Sequence, residues 1–272
     1  MNGDQKTAET AAVKARRAGI ASFVGTTIEW YDFYIYGLAA SLVFGELFFS
    51  KEMDPGVATL LSFATFWVGF LARPVGGVIF GHLGDRIGRK TTLVITLMMM
   101  GVSTFAIGVI PTYESIGVAA PLIVLLLRLI QGLALGGEYG GAVTYLAESA
   151  PDGRRGFLTS WIQATATLGL FAALAVTLVT RLAVGEAAFA AWGWRLPFLV
   201  SIVLVMVALL LRRRLRESPM FARLKRAGGG ARKPLRESFA NPLNMRVVAV
   251  ALFGATMGQG VVWYTGQLYP LY

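Results

Sequence analysis

Cysteine is absent from this chain of 272 residues, and histidine occurs once, at His82. The first absence excludes a disulfide framework and any thiolate metal site. The second leaves nothing from which to build a histidine-rich site. Charge is scarce as well: Asp, Glu, Lys and Arg make up 15% of the residues, where a soluble globular chain carries about 25%. Acids are the scarcer sign, 15 against 25 bases, for a net charge of +10. What fills the sequence instead is hydrocarbon, with 56% hydrophobic residues and a mean hydropathy of +0.62. Long apolar runs recur along the whole chain, so the expected fold class is all-α, a polytopic membrane protein. The first run, from Ile20, is too long for the core of a signal peptide and lacks a cleavage site, which makes it a retained helix.

A charge of +10 would suit a nucleic-acid partner, but its placement argues against one. The bases gather in alternate connecting segments, while the segments between them hold only Lys51, Arg181 and Arg195. That asymmetry is the positive-inside bias. It predicts a multi-pass membrane protein with a cytoplasmic N-terminus and anionic lipid as a partner. The expected organisation is a cytoplasmic tail over 1–19, six membrane helices within 20–212, a basic cytoplasmic linker over 213–246, and a seventh helix within 247–272. The helices are predicted near Ile20–Phe44, Val57–Gly81, Thr91–Ile110, Pro121–Leu146, Phe157–Leu182, Trp194–Leu211 and Val247–Pro270, with an amphipathic helix in the linker at Glu217–Arg226.

Three stretches carry polar groups where hydrocarbon is expected. In the first helix, Glu29 and Asp32 lie three residues apart, hence on one face, among Trp30, Tyr31, Phe33, Tyr34 and Tyr36. A charge at the bilayer centre costs about 2.5–3.5 kcal/mol on insertion scales, so neither acid is expected to face lipid. The pair is either a proton or cation site beside an aromatic wall, or a buried acidic pair matched by a base on another helix. In the second helix Arg73 precedes Pro74, whose ring removes one backbone hydrogen bond and is expected to kink the helix. Arg73 either turns inward to hold an acid or a substrate carboxylate, or snorkels to the interface. Gly69, Gly76, Gly77 and Gly81 offer close helix contacts there. In the fourth helix, Arg128, Gln131 and Glu138 accompany a run of glycines. Arg128 and Glu138 are about 15 Å apart along a helix axis, so each needs a partner elsewhere, with the first-helix acids or Asp85 within reach of Arg128. A small-residue packing face with one buried ion pair is the alternative.

Between the second and third helices, Gly81, Gly84, Asp85, Arg86, Gly88, Arg89 and Lys90 make a short polar turn, with Asp85 placed just before the next helix, where its dipole favours an anion. The spacing G-x-x-G-D-R-x-G-R-K resembles the cytoplasmic signature of the major facilitator superfamily. The segment Gly25 to Gly37, the Arg73-Pro74 pair, Gln131-Gly132 through Gly141, and Glu217-Ser218-Pro219 further resemble the metabolite:proton symporter family within it, whose members carry shikimate, α-ketoglutarate, citrate and proline or betaine. The resemblance implies two six-helix halves with substrate held between them at mid-membrane. This chain would supply the first half and about one helix more, so a C-terminal half is expected in the complete protein. It also implies that no enzyme chemistry and no cofactor is involved, the proton being the coupling ion and the substrate a small organic acid or betaine-like zwitterion. Glu29, Asp32, Tyr36, Arg73, Arg128, Gln131 and Glu138 would serve proton coupling and substrate. The turn, with Asp85, Arg86 and Arg89, would latch the cytoplasmic side. A non-transporting remnant or interaction module of such a carrier is the alternative function.

Overall fold

The computed structural model describes residues 3–151, 153–213, 215, 217–226 and 242–257. The chain divides into two compact units, residues 1–229 and 230–272. In the first, six long helices follow one another: α1 (Gly3–Ala39), α2 (Pro55–Ile87), α3 (Arg89–Val109), α4 (Ala119–Ser149), α5 (Arg155–Val184) and α6 (Arg195–Arg213). A short amphipathic α7 (Pro219–Arg226) comes after them. The second unit contains α8 (Pro242–Ala249), which runs into a π-helical stretch, Val250–Thr256. Most of the expected seventh span, Val247–Pro270, lies outside the described residues.

The expectation of an all-helical membrane bundle is met. By length and composition, α2 to α6 are each able to cross a membrane. α1 packs among them against α5, α6 and α4, although its acids and polar start keep it outside that set. It also begins well before Ile20: residues 3–19 extend the helix rather than preceding it. α2 carries the bundle's outer face, with Leu60, Trp67, Leu71 and Val75 exposed. α5 does likewise with Phe171, Leu178 and Leu182.

Small residues bring the helices together, as expected where lipid tails remove most of the hydrophobic drive between them. α2 packs most extensively on α4. A β-carbon added at Gly132 would lie 2.1 Å from the Gly69 carbonyl oxygen, one at Gly136 would lie 2.0 Å from that of Arg73, and one at Gly76 would lie 2.0 Å from that of Leu133. Gly81, expected to join this contact, meets nothing within 4 Å. Pro74 sits inside α2 without breaking it; the helix is continuous to Ile87.

Apolar clusters close both ends of the bundle. Tyr36, Phe44, Phe48, Trp194 and Phe198 pack together at one end. Ala18, Ala21, Leu93, Tyr145, Leu146, Ile162 and Leu215 pack at the other, near the basic turn. Outside the spans at the aromatic end, Lys51 pairs with Glu114, and that ammonium holds the Glu114 carboxyl below its ordinary range.

Candidate functional site

α4 supplies the axis of the site. Val124, Arg128, Gln131, Leu135, Glu138, Ala142 and Tyr145 recur at alternating four- and three-residue steps and are all buried. That spacing keeps them on one helical face. Arg128 is 1% exposed and Glu138 0%, so the sequence places two opposite charges in the interior at two different depths.

At the depth of Arg128, its Nη1 donates to Gln131 Oε1 at 2.8 Å, and Gln131 Nε2 donates to Thr104 Oγ1 at 2.8 Å. The Arg128 guanidinium carbon lies 3.8 Å from the centroid of the Tyr36 ring. The Tyr36 hydroxyl shares a hydrogen bond of 2.5 Å with Thr65. Arg128 Nε and Nη2 have no hydrogen-bond partner among the described residues, and neither has either oxygen of Asp32. The Arg73 guanidinium carbon lies 4.0 Å from the Phe70 ring and 4.5 Å from the Phe33 ring. Arg73 therefore turns inward onto aromatic faces instead of snorkelling, an arrangement favoured by the ring quadrupoles. Arg73, Arg128, Gln131, Phe33 and Met100 border a gap with no room for a water molecule, far below the size of a small-molecule pocket.

At the depth of Glu138 the arrangement is closed. Glu138 Oε1 accepts from Arg212 Nη2. Glu138 Oε2 accepts from Arg212 Nη1 at 3.0 Å and from the Thr96 hydroxyl at 2.5 Å. Arg212 Nη1 also donates to the Leu93 carbonyl at 2.5 Å. A β-carbon at Gly25 would sit 2.3 Å from Arg212 Nη2, so the glycine in α1 makes room for the guanidinium. Glu29, 2% exposed, lies within electrostatic reach of Glu138, Arg212, Arg73 and Asp32.

These contacts answer the partner question raised by the sequence. The partner of Glu138 is Arg212, which reads in the sequence as the first of three arginines ending a helix. The signal that could have found it is periodic: Phe198, Ser201, Val205, Ala208 and Arg212 form one buried row on α6. Arg128, expected to reach the α1 acids or Asp85, has no ion pair among the described residues; Gln131 and the Tyr36 ring take that place.

The signature turn is smaller than expected. Residues up to Ile87 are the last turns of α2, and Gly88 alone, at φ +108°, makes the bend to α3. A φ in that region favours glycine. Asp85 therefore stands at the end of α2 and not ahead of the next helix; Arg89, one turn on, pairs with it at 2.6 Å. Arg89 Nε also lies 3.6 Å from Glu148 at the end of α4. Glu217 Oε1 accepts from the Lys90 backbone N–H at 3.1 Å, and Lys90 Nζ donates to the Arg213 carbonyl at 3.0 Å. The Ser218 hydroxyl donates to Glu148 and accepts from the Phe221 N–H at 3.1 Å, which caps α7. Glu148, Glu217 and Ser218 thus join the expected latch residues, and a β-carbon at Gly88 would sit 2.2 Å from Glu217 Oε2. Gly84 leaves 3.0 Å to Arg89 Nη1, whereas Arg86 is exposed.

Comparison with known proteins places this geometry in context. The chain is 46% identical over 220 residues to the shikimate transporter of Escherichia coli K12, covering 81% of this chain and 50% of that one. It is 45% identical over 208 residues to the glycine betaine/proline/ectoine/pipecolic acid transporter of Dickeya dadantii, covering 76% and 41%. The chain thus spans about half the length of the curated relatives it matches. Its fold superimposes on a partially occluded, inward-open structure of the E. coli xylose transporter with a TM-score of 0.70 at 20% identity, covering 94% of this chain and 62% of that one. Residues 18–266 match the sugar (and other) transporter family, a family of carriers and not of enzymes. With that match, a helical bundle of the corresponding fold and the signature turn between its second and third helices, the chain belongs to the sugar (and other) transporter family of the major facilitator superfamily.

Proposed function

We propose that the protein acts in secondary active transport, as a proton-coupled symporter of a small organic acid or zwitterionic metabolite in the bacterial inner membrane. The N-terminus and the basic turn lie on the cytoplasmic side in this reading. The observation that carries it is a set of buried polar atoms without a hydrogen-bond partner among the described residues: both oxygens of Asp32, and Nε and Nη2 of Arg128. Buried charges are normally paired, and an ionisable group kept without a partner inside the membrane points to a transported species. The Arg128 fork matches a carboxylate, and a proton on Asp32 would remove the neighbouring negative charge as the substrate enters. Arg73, Tyr36 and Gln131 complete the wall. Thr96, Arg212 and Glu138 are mutually satisfied and hold helices together below it. The ion pairs around Arg89 form a latch between the ends of α2, α3 and α4, releasable because they are few and partly exposed. The small gap beside Arg128 fits a closed state that must open to admit substrate. The names of the relatives favour a carrier over a non-transporting module.

Uptake of labelled shikimate and of labelled betaine into vesicles, with and without an imposed pH gradient, tests the reading. Accumulation that follows the gradient and is lost in Asp32→Asn is the expected result. Uptake indifferent to the gradient, or normal accumulation by the variant, refutes proton coupling through Asp32.

A further inference from the structure

Two guanidinium groups converge on the buried Phe33 ring. The Arg73 guanidinium carbon lies 4.5 Å from its centroid and that of Arg128 lies 5.6 Å from it. Both side chains border the same closed gap, together with Gly69 and Gly132. Arg128 Nε and Nη2, the two nitrogens without a hydrogen-bond partner among the described residues, face α2: a β-carbon at Gly69 would stand 3.6 Å from each. These two nitrogens form one edge of the guanidinium, the edge that can give both oxygens of a carboxylate an N–H each. The ring faces around the gap are already taken. Arg73 lies over Phe70, and Arg128 lies over Tyr36 and, at 5.0 Å, over Phe66. A quaternary ammonium is recognised by such faces, and here the protein's own cations cover them.

We propose that this site selects a monocarboxylate anion and rejects a zwitterion such as betaine. The proposal rests on the reading of Arg128 and Asp32 as the substrate layer, and it narrows the substrate from two classes to one. The carboxylate accepts from Nε and Nη2 of Arg128, and Arg73 supplies a second positive charge at the same ring. The charged side chains of this layer are Arg73 and Arg128 against Asp32 and Glu29, which acts on Arg73 and Asp32. Glu138 and Arg212 compensate each other. With the coupling proton on Asp32, one positive charge is in excess. A monocarboxylate cancels it. A zwitterion brings an ammonium along with its carboxylate and leaves the excess in place, and a buried charge without compensation is costly. The gap opens by parting α2 from α4, whose backbones meet at Gly69 and Gly132.

The test uses the purified full chain in detergent and reads its thermal unfolding midpoint, which a bound ligand raises. Shikimate supplies the monocarboxylate, its methyl ester the same ring without the charge, and glycine betaine the zwitterion. Shikimate is expected to raise the midpoint saturably, and the ester and betaine to leave it unchanged. Arg128→Lys keeps the charge but loses the two-pronged edge. Half-saturation by shikimate is expected to need about ten-fold more ligand in that variant, the scale of one charge-assisted hydrogen bond. Arg73→Gln is expected to weaken shikimate likewise and, by uncovering the Phe33 and Phe70 faces, to let betaine raise the midpoint. Each shift is measured against the same variant without ligand, so a general loss of stability does not enter. A betaine shift equal to that of shikimate in the unmodified chain overturns the proposal. An equal shift from the ester also overturns it, as does no shift from shikimate or from benzoate, a second monocarboxylate. Unchanged shikimate titrations in both variants remove the arginines from recognition. No proton gradient is present, so this outcome is separate from the uptake assay. A carboxylate-selective shift beside gradient-indifferent uptake keeps the selectivity and refutes the coupling. A betaine shift beside gradient-driven uptake does the reverse.

Discussion

Glu138 and Arg212 illustrate how a membrane interior treats charge. Each is fully buried and each is the other's partner. Removing one member of a buried pair leaves a bare charge and costs about 3–5 kcal/mol, whereas replacing both with apolar groups of similar volume is close to neutral. Arg212→Ala is therefore expected to lower the thermal unfolding midpoint in detergent sharply, and Glu138→Leu/Arg212→Met by much less. Equal losses in the two would show that the pair is not an energetic unit. Glu138 was legible in the sequence as a charge in the middle of an apolar run. Arg212 was not, because Arg213 beside it makes the run of bases look like a helix end in water. Its burial depends on the gap left at Gly25, nearly two hundred residues away in the chain, and no local pattern encodes that juxtaposition.

Helix pairing rests on backbone approaching backbone. Between α2 and α4 the contact at Gly136 leaves no room for a β-carbon, since the Arg73 carbonyl oxygen would lie 2.0 Å away. That atom belongs to the backbone of a long helix and cannot swing aside, so Gly136→Val is expected to separate the two helices and lower the yield of folded, detergent-extractable protein. Gly81→Ala serves as the control: it meets nothing within 4 Å, and alanine is the better helix former by about 1 kcal/mol, so stability should be unchanged or raised. Size-exclusion profiles and thermal melts of the two variants check both outcomes. The glycine-rich character of these helices was plain in the sequence, but which glycines touch was not. That depends on the rotation of α2 against α4, which turns Gly76 inward and Gly81 outward. The signature segment shows the same limit: its composition reads as a loop, yet helix geometry holds through Ile87 because only Gly88 requires a positive φ.

For the molecule as a whole, the absence of cysteine is an experimental advantage. Arg86→Cys and Lys51→Cys each create the single thiol of the chain, at exposed sites on opposite ends of the bundle. In intact cells a membrane-impermeant maleimide is expected to label position 51 and to reach position 86 only after the membrane is opened. The reverse pattern would invert the orientation drawn from the basic segments.

The sequence by itself determined that the chain crosses a membrane, which end of the bundle carries the positive charge, roughly where the long helices run, and that Glu29, Asp32, Arg128 and Glu138 lie among hydrocarbon. Those features follow from local composition and from the expense of placing charge in lipid, and each can be read within a window of some twenty residues. Tertiary structure alone decided the partners: Arg212 for Glu138, Gln131 and an aromatic face for Arg128, Glu148 and Glu217 for the signature turn. Partnership is set by the rotation and depth of helices far apart in the chain, and one residue of rotation moves a side chain about 100° around its helix, enough to replace every contact it makes.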